Sequence, residues 1–142
     1  MNKKIWKMFC VSSAMLVSLP LLSVTTTANL GPELKVGEIN GGLLELDIQI
    51  LNTGDVPINN VEWNVSVNGG ILNKINARGN SIVSRIEANN NEWDRYPATG
   101  NGYKLFGIGL ITITVTAKAE GVDEATKTIK GLALFSFIIP LG

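Results

Sequence analysis

The densest grouping of chemically capable side chains in this sequence is Glu92-Trp93-Asp94-Arg95-Tyr96, with Tyr103 a little further on. Two neighbouring carboxylates can do acid–base work on a glycosidic bond if they face each other across a sugar. That gives a small secreted hydrolase using Glu92 and Asp94 as one reading. Trp93, Arg95, Tyr96 and Tyr103 offer a second chemistry, because Trp, Tyr and Arg combine large contact area with a polar handle and dominate binding hot spots. Those aromatics would stack on sugar rings in a carbohydrate-binding module, or anchor a protein partner. The competing role for Trp93 and Tyr96 is to fold back as a plug over the open end of the domain.

Oxygen ligands for calcium stand at Asn52, Asp55 and Asn59, and again at Asn91, Glu92 and Asp94. Neither set has the spaced acidic pattern of a calcium loop. The same side chains commonly cap their own backbone in turns, so no metal site is assigned. Asn64-Val65-Ser66 matches the acceptor sequence for N-glycosylation.

Composition excludes much other chemistry. The chain has no histidine, and its one cysteine, Cys10, lies in the apolar N-terminal segment. Ser-His-Asp, Cys-His and HExxH arrangements therefore cannot be assembled. Ser66, Ser81, Ser84 and Ser136 are not in a nucleophile elbow. Gly107-x-Gly109 lacks the third glycine and following helix of a dinucleotide fingerprint. The expectation is a protein with no catalytic residues and no cofactor.

Residues 1–28 read as a signal peptide. Lys3, Lys4 and Lys7 precede an apolar stretch from Met8 to Val24, and Thr26-Thr27-Ala28 supplies small residues for cleavage near Ala28. The alternative is an uncleaved anchor, since Ile5 to Val24 is about the ~20 residues that span a bilayer. Cleavage implies a secreted or cell-surface protein and leaves residues 29–142 as one domain. That part has nine Lys and Arg against twelve Asp and Glu, a balance of −3. It has no basic run for phosphate, so nucleic acid is not an expected partner. It also has no thiol, so its core must hold it together unaided.

The elements that must position these residues are short strands. Leu44, Leu46, Ile48 and Ile50 alternate with Glu45, Asp47 and Gln49, and Val61, Trp63, Val65 and Val67 alternate with Glu62, Asn64 and Ser66. That period of two predicts a pair of half-buried strands joined by the polar turn from Asn52 to Asn60. Further strands are expected at Leu34–Ile39, Ile71–Ile75, Ser81–Ile86, Tyr103–Phe106, Leu110–Ala119, and Glu124 to about Ile139; the apolar positions 71, 72, 75, 82, 83 and 86 also fit a helical turn. Turns at 40–42, 68–70, 78–80 and 120–123 separate them, and Gly107-Ile108-Gly109 allows a corner or bulge. Ala88–Gly102, rich in Asn and Gly, reads as a loop.

Seven or eight strands without a helical period predict an all-β, immunoglobulin-like antiparallel sandwich. Its core is expected to contain Trp63, Leu46, Ile48, Val65, Ile113 and Val115. The run Leu132 to Ile139 is apolar on both faces and too short to cross a membrane as a helix. Residues 132–141 are either a closing strand covered on both sides or a segment that pairs with another chain.

The stretch Asn52-Thr53-Gly54 followed by Asn60-Val61 resembles the N-T-G … N-V signature of CARDB-like, or cell-adhesion-related, immunoglobulin-like domains of exported bacterial and archaeal proteins. The strand Gly109 to Ala117 and the turn Glu120-Gly121 fit the same pattern, so the resemblance runs from about Glu33 to Phe137. It differs at Asn89–Gly102, a longer connection than usual, and in being one domain rather than an array. The resemblance implies a sandwich fold and a non-catalytic role in surface architecture or binding to an unknown protein or glycan partner.

Overall fold

The computed structural model describes residues 31–97 and 106–142. The signal segment, its cleavage near Ala28, Tyr103 and most of the strand expected at Tyr103–Phe106 lie outside the described residues. Eight strands are present: β1 Leu34–Gly41, β2 Glu45–Asn52, β3 Ile58–Gly69, β4 Ile75–Ile86, β5 Asn90–Pro97, β6 Gly107–Ala119, β7 Val122–Phe135 and β8 Phe137–Leu141. A 3-10 turn at Ile71–Asn73 joins β3 to β4. They form two antiparallel sheets, a three-stranded one in the order β1-β2-β5 and a five-stranded one in the order β4-β3-β6-β7-β8. The fold is an all-β sandwich, as the alternation of the sequence predicts.

The core lies between the sheets. Leu46, Ile48 and Ile50 from the smaller sheet face Val61, Trp63, Val65, Val67, Ile111, Ile113 and Val115 from the larger, all at 2% exposure or less. These are the positions that the period-two pattern puts on one side of each strand. Trp63, the largest of them, donates its indole N–H to Asp94 Oδ2 across the two layers at 3.0 Å. That bond fixes the sheets relative to each other as well as filling space between them.

Several local expectations are corrected. β2 and β3 do not pair; each belongs to a different sheet. The connection between them is locked by Asn52, 1% exposed, whose side-chain amide donates to the carbonyls of Val56, Ile86 and Glu87 while its oxygen accepts from Gly54 N–H. The strand expected at Ile71–Ile75 is instead a 3-10 turn at Ile71–Asn73, and Ile75–Ile86 is one continuous strand with no turn at 78–80. Gly79 is there because the Tyr96 ring lies where its β-carbon would be. The final strand breaks at Ser136 into the β7–β8 hairpin. Phe135 adopts φ 57° there, so the turn puts a bulky residue in the left-handed region, with Ser136 beside it as its one ordinary turn former.

Candidate functional site

The expected loop at Ala88–Gly102 is corrected over most of its described length: Asn90–Pro97 is the edge strand β5, paired along its whole length with β2. Pairing separates its side chains by parity. Tyr96 and Asp94 point inward beside Leu46 and Ile48, whereas Trp93 and Arg95 point outward beside Gln49 and Asp47. Tyr96 is 4% exposed and donates its hydroxyl to the Arg78 carbonyl at 2.7 Å, so it closes the sandwich edge between β5 and β4. Of the aromatics proposed for stacking, Trp93 alone is both described and open, at 47% exposure. Arg95 is held by Asp47 at 2.8 Å and Glu45 at 3.3 Å. The hydrogen bond and charge of Asp47, with Glu45, raise the guanidinium above its ordinary value.

Glu92 and Asp94 lie two apart on one strand, and Asp94 is engaged by Trp63. This geometry does not set two carboxylates across a cleft. The Asn52 amide is spent on backbone groups, the turn-capping role rather than a ligand's. Among the described residues, no three His, Cys, Asp or Glu side chains converge as metal ligands. Asn64 is exposed at mid-strand on the outer face of the larger sheet, between Asn80 and Thr116.

The feature that stands out is on that same outer face. Over β6 and β7 most of it is a threonine lattice, with Thr114–Thr128 and Thr116–Thr126 hydroxyl pairs at 3.1 and 3.2 Å and Lys130 Nζ on Thr112 at 3.1 Å. Beyond Thr112 the chemistry changes abruptly. Register places Ile108, Leu134 and Phe137 in one row and Leu110, Leu132 and Ile139 in the next, with Leu141 beside Lys130. Leu110 is 70% exposed, Phe137 54% and Leu141 50%. The run 132–141 is therefore covered on its inner side, where Ala133 and Ile138 are buried, and bare of described residues on its outer side.

The apolar surface continues over the adjoining end of the sandwich. A groove of about 360 Å³ is lined there by Ile71, Leu72, Phe106, Ile108 and Phe135, and the two phenyl rings lie 6.0 Å apart at 50°. Three bulky residues with left-handed backbones, Leu44, Leu72 and Phe135, belong to this end. Such conformations cost on the order of 1–3 kcal/mol and collect at functional sites. The free edge of β8 is occupied: Ile138 N–H bonds the Gly42 carbonyl, Leu44 N–H bonds the Ser136 carbonyl, and Pro140 has no N–H. Apolarity on both faces of 132–139 was the signal for this surface in the sequence. The share of Ile108 and Leu110 was not visible until register placed them beside it.

A solved structure similar to this chain is that of a CARDB domain from a Pyrococcus furiosus protein, described in complex with di-metal ions. The match covers 72% of this chain and 94% of that one, at 19% identity and a TM-score of 0.47. No family model matches the chain, and no curated protein does.

Proposed function

We propose that this is an exported, non-catalytic β-sandwich domain with a structural or protein-binding role at the cell surface. One observation carries the reading: the bare apolar corner formed by Ile108, Leu110, Leu134, Phe137 and Ile139 on the outer sheet face. Monomeric soluble proteins rarely expose contiguous apolar patches beyond a few hundred Å², and larger ones mark contact sites. An aqueous compartment would penalise this surface unless something covers it. The sugar-binding alternative loses Tyr96 to the core, and the hydrolase alternative loses Asp94 to Trp63.

Fractionation of cells producing the protein tests the reading. The wild type is expected in the cell-surface fraction, and Leu110→Lys with Phe137→Lys is expected to be released as free folded protein. Cytoplasmic retention of the wild type, or surface retention that ignores both substitutions, overturns it.

A further inference from the structure

We infer that the apolar corner of the larger sheet docks against the same corner of a second copy of this chain, face to face, in a two-fold symmetric dimer. The inference rests on the proposed contact role of that surface and names its occupant.

Area is the first argument. Six of the fourteen exposed large apolar side chains among the described residues, Ile108, Leu110, Leu134, Phe137, Ile139 and Leu141, stand together on the outer face of β6, β7 and β8. Each is roughly half exposed, so together they offer on the order of 500 Å² on one plane. Two such faces together bury on the order of 1,000 Å², the size at which a specific interface begins.

Shape is the second. The β6-β7-β8 grid has side chains at alternate positions of three registered strands, the surface from which sheet-on-sheet packing is built at ~10 Å separation. Two copies related by a two-fold axis bring the same grid to both sides. The occupied edge of β8 argues against strand addition, the other way a copy could join. Composition is the third. Among the described residues the corner is aliphatic and phenylalanine, bordered by neutral threonines, with only Lys74 and Lys130 at its margin. A lipid-facing site ordinarily adds Trp or Tyr and a basic belt; among the described residues of this corner there is no Trp or Tyr, and two lysines are the whole of its basic margin. An interface core depleted of charge with a polar rim is the protein–protein pattern.

Sedimentation velocity of the protein recovered after export, from about 1 to 100 µM, tests the inference. The wild type is expected to dimerise. Leu110→Lys with Phe137→Lys should raise the dissociation constant roughly 100-fold or more, the scale of a hot-spot pair, while the melting temperature of the dilute monomer stays unchanged. Leu110→Ser gives the same direction if the double variant does not fold. Ile82→Lys, 60% exposed on the same sheet face but outside the corner, should leave the dimer intact. A wild type that stays monomeric at the highest concentration, or a dimer indifferent to the corner substitutions, overturns the inference. So does a monomer that floats with phosphatidylglycerol vesicles. A monomer whose surface retention still depends on Leu110 and Phe137 overturns the dimer while leaving the contact role standing. Indifference in both assays overturns both.

Discussion

Replacing Asn52 by alanine removes the only polar side chain buried in the described core. The side chain has two amide hydrogens shared among three carbonyls and one oxygen accepting from Gly54 N–H. Truncation strands that N–H and the buried Ile86 carbonyl. At about 0.5–1.5 kcal/mol for each net hydrogen bond and 1–3 for a buried group left unpaired, the loss is roughly 2–4 kcal/mol. In a domain of this size that lowers the melting temperature by roughly 10–20 °C. Thermal unfolding followed by circular dichroism reads the shift. Asn52→Asp gives the sharper test, because the carboxylate keeps the acceptor for Gly54 but turns negative charge toward three carbonyls. It should be at least as damaging as alanine, with or without calcium. An aspartate variant that equals the wild type, or that calcium stabilises, would refute the capping account and make residue 52 a metal ligand.

Gly79→Ala pushes a methyl group into the Tyr96 ring; the cost should be about 1–3 kcal/mol, and combining it with Tyr96→Ala should cost less than the two separately. Trp63→Ala empties the centre of the core and should cost about 3–5 kcal/mol, so an unchanged denaturation midpoint would place Trp63 outside it. With no histidine in the chain, stability should stay nearly flat from about pH 5.5 to 8. The carboxyls of Glu33, bonded by Thr53 and Lys35, and of Glu87, bonded by Arg85, are held below their ordinary value of 4.5. A depressed folded-state value adds stability above 4.5 that is lost as pH falls through the lower value. Acid titration should therefore weaken the fold below about pH 4.5, slightly because both groups are exposed, and Glu87→Gln should flatten part of the slope.

Alternation made the faces of β2, β3 and β6 legible, because a period of two survives in any sheet that buries one side. It carries no information about which sheet a strand joins, so β2 and β3 could be read as a hairpin. Asn52, a residue that reads as turn chemistry in sequence, is what sends the chain across to the other layer. β5 was hidden because its inward positions include Glu92 and Asp94, and an acid satisfied by the Trp63 indole breaks the expected pattern. Gly79 looked like a turn because glycine usually is one; here it answers a ring from another sheet. The bare corner was half visible in the double-sided apolar run at 132–139. Its other half depends on the antiparallel register of β6 and β7, which no local pattern states.

Carbene footprinting of the native protein, read residue by residue in dilute and concentrated solution, meets the central claim most directly. Leu110, Leu134, Phe137 and Ile139 should label strongly when the protein is dilute and become protected as concentration rises, while Ile82 stays labelled throughout. Protection of those four residues at every dilution, in a protein that sediments as a monomer, would contradict the account: the chain would be covering the corner with its own residues.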